Sequence, residues 1–284
     1  MMKKLRAKEH LFSGKDLRER IREANVAVHR AEAKYYELIH PEVYCRYEQK
    51  RLASTLKMVD KLVADNHERT KKALDFGAGT GNLTGKLLQM GYEVTAVDMS
   101  VEMCKILERK YKDYLASKKL VVINSPIEDV SFEGDSFDLV TCYSVLHHLP
   151  DYVDAIRRLS AFLRKGGVMY IDHEISPFYW KNESSTLAGL VKLIYFHSNP
   201  LLNTLCFRIM GVNVPSLDYG LSDYWHQKEH PLNHGDIESV FEEENFEFFK
   251  RVDYHLMGTW FWNPLFDIYI SVCRPEMSFW MAQK

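Results

Sequence analysis

The sequence predicts an α/β protein built on a mostly parallel sheet with helices on both faces. Three observations carry that reading. Short apolar runs at 73–76, 93–97, 120–123, 137–143 and 168–172 alternate with amphipathic stretches, the rhythm of strands joined by helical crossovers. The first run leads into glycines at alternate positions, Gly77, Gly79 and Gly81, and then into a segment carrying Leu83, Leu87 and Leu88 that stops at Gly91. This order reads as strand, tight turn and helix. With 284 residues, 46% of them hydrophobic, the chain is long enough for a large core.

In chain order, residues 1–70 form an N-terminal helical extension. Ser13-Gly14-Lys15-Asp16 has the composition of a helix entry, and Leu17, Ile21, Ala24, Val28, Ala31, Tyr35 and Leu38 fall on one helical face. The spacing predicts one helix of about six turns, ending before Pro41. A second helix carries Leu52, Leu56, Val59 and Val63 on one side. At the junction of the two, Tyr35, Tyr36, His40 and Tyr44 make a polar-aromatic cluster suited to closing over a ligand.

Residues 71–175 form the core unit. Ser100 caps a helix with Met103, Ile106, Leu107 and Tyr114, and a helix from Asp151 turns Val153, Ile156, Leu159 and Leu163 inward. Gly166-Gly167 then leads into the fifth strand. Residues 176–234 break the pattern. Two apolar-faced helical segments, 187–196 and 201–210, are predicted to fold as a lid, with Lys181, Lys192 and Arg208 on its outer edge. From 235 to 284 the alternation resumes, with a helix carrying Ile237, Val240 and Phe241 and strands at 246–254 and 266–273, seven strands in total.

Composition narrows the function. The net charge of −2 excludes a general polyanion binder, and no DNA partner is expected, although residues 1–72 carry +7 and the remainder −9. Five widely spaced cysteines without a C-x-x-C pair suit a reducing cytosol rather than a disulfide framework. No signal peptide is read at the start, and no apolar run reaches the roughly 18 residues of a membrane span.

The glycine turn offers backbone N–H groups and a helix N-terminus, which suits a nucleoside-bearing ligand with a carboxylate or phosphate. Its spacing is not G-x-G-x-x-G, because position 82 is Asn82 and position 84 is Thr84. Nor does Gly85-Lys86-Leu87 complete a P-loop. Asp98 ends the second strand 17 residues after Gly81, where a carboxylate can accept from both ribose hydroxyls or cap the next helix. The histidines His226, His230 and His234 recur every four residues, but Pro231 breaks any single helix through them and no metal is expected.

The run Leu74-Asp75-Phe76-Gly77-Ala78-Gly79-Thr80-Gly81, a D-x-G-x-G-x-G pattern, resembles the first motif of class I S-adenosylmethionine-dependent methyltransferases. Glu128-Asp129-Val130-Ser131-Phe132 followed by Asp135-Ser136-Phe137-Asp138-Leu139-Val140 resembles a later segment of that family. Tyr143-Ser144-Val145-Leu146-His147-His148-Leu149 resembles the S-x-L-H-H-L segment of small-molecule members related to the ubiquinone and menaquinone biosynthesis enzymes. Where the family often places an Asp near the adenine amino group this chain has Pro126, so Ser125 or a backbone carbonyl takes that role.

The resemblance spans 71–174 specifically and 235–275 as pattern. It implies a Rossmann-like fold, S-adenosylmethionine as cofactor, and S-adenosylhomocysteine as product. The implied cofactor contacts are Asp75, Gly77, Ala78, Gly79, Gly81, Asp98, Met99, Ile127, Tyr143 and Ser144. His147 and Glu174 are the candidate catalytic bases, with Tyr35, Tyr36, Tyr44, His148 and His173 at the acceptor. The expected reaction is methyl transfer to a small, apolar or lipid-like acceptor, with O-, C- and N-methylation all open. An RNA or protein methyltransferase is the alternative, as is a non-catalytic S-adenosylmethionine-binding subunit. Cys142-Tyr143-Ser144-Val145 lacks the N/D-P-P-Y/F run of nucleic-acid amino-methylating enzymes. A cytoplasmic location is expected, with peripheral membrane contact through the lid as a weaker expectation.

Overall fold

A computed structural model describes residues 15–63, 69–180, 217–256 and 274–284. The lid segments expected at 187–196 and 201–210, and the strand expected at 266–273, lie outside the described residues. Seven strands form one sheet: β1 (Lys72–Phe76), β2 (Glu93–Asp98), β3 (Leu120–Asn124), β4 (Phe137–Tyr143), β5 (Leu163–Ile175), β6 (Phe248–Tyr254) and β7 (Met277–Gln283). Their order is β3-β2-β1-β4-β5-β7-β6, with the first five parallel and β7 antiparallel to both neighbours.

Both faces of the sheet are apolar, as crossover connections require. Successive residues alternate between them. Leu74, Phe76, Val140, Cys142, Met169, Ile171 and Trp280 join one core with α5 (Tyr152–Ala161) and α6 (His234–Glu243). Ala73, Leu139, Tyr143, Val168, Tyr170, Phe279 and Met281 join the other with α2 (Arg46–Leu62) and α3 (Asn82–Gln89). The expected cap forms at Ser100, which accepts from the Met103 amide at the start of α4 (Val101–Lys110), and Asp151 likewise accepts from the Asp154 amide at the start of α5.

Two features depart from the sequence expectations. A strand not read from the sequence, Met277–Gln283, is the seventh among the described residues, and Trp280 within it is fully buried. The first helix is not continuous to position 38. It ends as α1 (Lys15–Glu32), followed by a 3-10 turn Ala33–Tyr35 and two helical turns, Tyr36–Ile39 and Pro41–Tyr44. Tyr35 (φ −119°, ψ 6°) and His40 (φ −113°, ψ 59°) leave the helical region, the latter as the residue before a proline. The break throws Leu38 out to 68% exposure while Ile21, Ala24 and Val28 stay buried.

Candidate active site

The turn after β1 is built as its glycines require. Gly77, Gly79 and Gly81 have φ of 70°, 54° and 86°, a region that costs other residues a Cβ clash. The carboxylate of Asp98 ties the turn to the end of β2. Its Oδ2 accepts from the Gly79 amide (2.7 Å) and its Oδ1 from the Ser100 amide (2.8 Å). Asp98 therefore serves as the helix-start acceptor and also borders the crevice at the strand ends. Above the C-terminal ends of β1, β2 and β4 lies a cavity of about 750 Å³. Gly77, Gly79, Asp98, Met99 and Ile127 line it on one side, and Tyr143 and Ser144 on the other. A smaller hollow of about 380 Å³ continues past Asp75, Ala78, Thr80 and Tyr44.

Two of the expected cofactor contacts have other duties. Asp75 accepts from the Thr84 hydroxyl (2.5 Å) and the Thr141 hydroxyl (3.0 Å), stapling β1 to α3 and β4, and burial pushes its carboxyl up to about 6. Gly81 borders neither cavity. Its carbonyl accepts from the Tyr111 hydroxyl (2.9 Å), and a Cβ there would lie 2.6 Å from the Tyr111 ring, so this glycine serves packing.

Helix α1 roofs the larger cavity with Arg22, Asn25 and His29. Asn25 Nδ2 donates to the carbonyls of Ile21 (2.9 Å) and His148 (2.8 Å), joining roof to wall. Tyr36 borders both hollows and also a third of about 900 Å³, which opens beyond Ser144 and His148. Six imidazoles border this chamber: His29, His40, His147, His148, His173 and His226. Carboxylates of Glu32, Glu42 and Asp223 accompany them. Tyr44 reaches Thr80 (3.0 Å) beside the smaller hollow. Tyr35 is not brought to the chamber. The helix break turns it to a separate surface hollow with Arg30, Lys34 and Leu38.

The chamber wall rests on two strand ends in unusual conformations. Ser144 after β4 and His173 within β5 have φ of 59° and 63°. Strain of this kind persists only where the surroundings enforce it. Here the Ser144 amide donates to the Asp172 carbonyl (2.8 Å), and the β5–β7 register shifts between Ile171 and Glu174. That bulge stacks His173 on Tyr143 (5.0 Å between centroids) and places Glu174 under the loop that follows β4.

Glu174 Oε1 accepts from the amides of Val145 (3.0 Å) and Leu146 (2.8 Å), and Oε2 from His147 Nδ1 (2.8 Å). The two residues proposed as bases do meet, but both Glu174 oxygens are engaged and its side chain is fully buried, so it positions His147 and the loop. Burial and then the neighbouring His148 hold the His147 imidazole well below the usual histidine range, which makes it a weak base. His148 is placed differently. Its Nδ1 donates to the Ser222 carbonyl (2.8 Å), which leaves Nε2 as the unprotonated nitrogen of the neutral ring. Although burial opposes its charge, the Asp223 carboxylate at 3.3 Å raises His148 above the ordinary value. It borders both the cavity beside the glycine turn and the chamber.

Behind the chamber lies a charged network that sequence reasoning missed. Arg51 donates to Glu48 Oε1 (2.5 Å), Glu48 Oε2 (2.7 Å) and Asp172 Oδ2 (2.7 Å), and lies over the Tyr254 ring at 3.9 Å. Tyr143 donates to Glu48 (2.8 Å), Tyr254 to Asp172 (3.0 Å), and Tyr170 also to Asp172. The Glu48–Arg51 pair sits at i,i+3 in α2, a pattern that was visible but reads as an exposed helical pair. Asn25, His29 and Asp223 carried no local signal. The histidines 226, 230 and 234 do not converge: His230 stacks on Tyr224, His234 on Trp280, and His226 on His147 (3.7 Å).

Comparison with known proteins agrees with this fold. Residues 74–171 match a methyltransferase domain family. The ubiquinone biosynthesis O-methyltransferase of Vibrio parahaemolyticus is 35% identical over 101 residues, 35% of this chain and 42% of that protein. The match thus spans less than half the length of that curated relative. A SAM-dependent methyltransferase from Archaeoglobus fulgidus superposes with a TM-score of 0.53 at 16% identity, covering 88% of this chain and all of the other. The magnesium protoporphyrin IX methyltransferase of Synechocystis, solved with bound SAM, superposes with a TM-score of 0.51 at 14% identity over 92% of this chain and 97% of the other. These two likenesses show the fold. Among the described residues no helix is long and apolar enough to cross a membrane.

Proposed function

We propose that this chain, whose residues 74–171 match a methyltransferase domain family, is a class I S-adenosylmethionine-dependent methyltransferase and transfers a methyl group to a small molecule held in the histidine-lined chamber. The observation that carries the reading is continuity. The glycine turn and Asp98 face one cavity, and Tyr36, Ser144 and His148 connect it to the chamber. S-adenosylmethionine, when bound, supplies a methyl already activated on a sulfonium, so the protein's work is placement, exclusion of water and removal of a proton.

Within this reading Asp98 receives the ribose hydroxyls, Met99 and Ile127 flank the adenine, and Tyr143 and Ser144 border the methionine end. Helix α1 with Asn25 and His29 keeps water from the reacting atoms. His148, oriented by Ser222 and Asp223, takes the acceptor's proton on Nε2. The polar chamber favours a hydrogen-bonding, hydroxyl-bearing acceptor over the apolar one read from the sequence, and His173 and Tyr36 contact it. A cytoplasmic site of action belongs to the same reading, supported by Cys45, Cys104 and Cys142 standing as free thiols.

Calorimetry with S-adenosylhomocysteine and a methyl-release screen over hydroxylated aromatic and polyol acceptors test it. His148→Gln should leave product affinity unchanged and slow turnover by about 100-fold or more, the scale of a lost general base. Tight NADH binding with no S-adenosylhomocysteine binding would overturn the assignment.

A further inference from the structure

We infer that His147, Glu174 and His226 form a binding site for one divalent transition-metal ion in the chamber wall. Their ligand atoms lie within 4.8 Å of one another, although Glu174 and His226 stand 27 and 79 positions after His147 in sequence. Two imidazoles and one carboxylate suit zinc, iron(II), cobalt(II) or nickel better than magnesium or calcium, which prefer oxygen donors.

Three observations point to an ion rather than to ordinary packing. His226 Nε2 is buried and has no hydrogen-bond partner among the described residues. A buried ring nitrogen left in that state is costly unless something occupies it. Glu174 is fully buried, and among the described residues no lysine or arginine pairs with it. Its neighbours in the cluster are two imidazole rings stacked on each other. Neutral imidazoles present the lone pairs a metal needs, and a dication balances the carboxylate.

The second histidine–carboxylate group, His147 with His148 and Asp223, is a weaker candidate. His148 Nδ1 is already committed to Ser222 and Asp223. An ion with bonds of roughly 2.0–2.2 Å must part His147 Nδ1 from Glu174 Oε2, now 2.8 Å apart, and needs His226 to settle against both. His226 can supply that movement, because it ends a single 3-10 turn, Tyr224–His226. The amides that hold Glu174 then act as the outer support that orients a ligand. Binding moves the His147 proton from Nδ1, where it now meets Glu174, to Nε2. An open position on the ion would take an acceptor oxygen. That role rests on the reading of the chamber as the acceptor site, whereas metal uptake itself does not.

The experiment uses untagged full-length protein, stripped with chelator and titrated with zinc(II) and cobalt(II) by calorimetry and visible absorption. The expected result is one equivalent of metal, with cobalt giving the d–d bands of an imidazole–carboxylate site. His226→Ala should weaken metal binding by more than the roughly 10–100-fold typical of losing an outer partner. S-adenosylhomocysteine affinity and the unfolding midpoint should stay at parent values, which shows that the variant folds. His230→Ala, whose ring stacks on Tyr224, should bind metal as the parent does. Substoichiometric uptake by the parent, or equal affinity in parent and His226→Ala, would overturn the inference. Normal product binding alongside either result would leave the methyltransferase reading standing.

Discussion

Replacing Gly77 by alanine should separate two reasons why a glycine stands there. The first is conformational: at φ +70° an L-residue pays about 1–2 kcal/mol. The second is space. A Cβ on Gly77 would lie 2.3 Å from Val145 Cγ2 and 2.9 Å from Cγ1. Val145 cannot easily retreat, since its amide donates to Glu174 and its carbonyl accepts from the His148 amide (3.0 Å). Overpacking of this kind costs about 1–3 kcal/mol, so the single variant should lose about 2–5 kcal/mol in urea unfolding. In Gly77→Ala/Val145→Ala both methyls at fault are gone and only the Val145 Cβ remains, 3.2 Å away. The steric part should therefore be recovered, giving a coupling of about 1–3 kcal/mol in the double-mutant cycle, while the conformational part persists. Coupling below about 0.5 kcal/mol would show that Val145 does not press on the turn, and the derivation fails.

Asp98→Ala should lower S-adenosylhomocysteine affinity by about 1–3 kcal/mol by calorimetry, and unchanged affinity would remove Asp98 from the site. Arg51→Met strands two buried carboxylates and should cost about 3–5 kcal/mol at neutral pH by chemical unfolding. Burial already holds Asp172 above the ordinary carboxylate range against the pull of Arg51, so the variant's folded state binds a proton more readily than its unfolded chain, and the deficit should shrink as pH falls. His40 is raised to about 9 because, against the cost of burial, its bonds to Glu32 and Glu42 favour the charged ring. Its contribution is complete below the unfolded value of about 6.5 and lost as pH rises through about 9, so His40→Gln should flatten the stability profile across that window. A profile identical to the parent's would refute the pairing.

The parts of this molecule legible in the sequence are those fixed by local spacing. Three glycines at alternate positions, an acid at the end of the next strand and Ser100 as a cap all landed where the sequence put them, because each acts within one strand–turn–helix unit. What was illegible depends on register and long-range packing. Glu174 looked like an open strand-end acid, and only the β5 bulge shows that both its oxygens are taken. Tyr35 and Leu38 continued an apolar stripe, but the conformations of Tyr35 and His40 end the helix early. The four-residue spacing of His226, His230 and His234 was no guide to their surroundings, because His226 stacks on His147, distant in sequence, rather than meeting a histidine one turn along. The strand expected at 266–273 lies outside the described residues, and the described strand Met277–Gln283, marked by the aromatic pair Phe279-Trp280, was not read at all.

The N-terminal helices are part of the site and not an attachment to it. Asp172 is the reason. Its carbonyl holds the Ser144 amide and its carboxylate accepts from the His173 amide (2.6 Å), so one residue braces both left-handed positions in the chamber wall. Each such position costs on the order of 1–3 kcal/mol and must be over-determined by its surroundings. A buried carboxylate can do this only if its own charge is met. That charge is met by Arg51, from α2, together with the Tyr170 and Tyr254 hydroxyls. Helix α2 therefore stabilises the conformations that point His173 and the loop carrying His147 and His148 into the chamber, while α1 closes the cavity from above. The core sheet and the N-terminal extension are thus coupled through a single carboxylate.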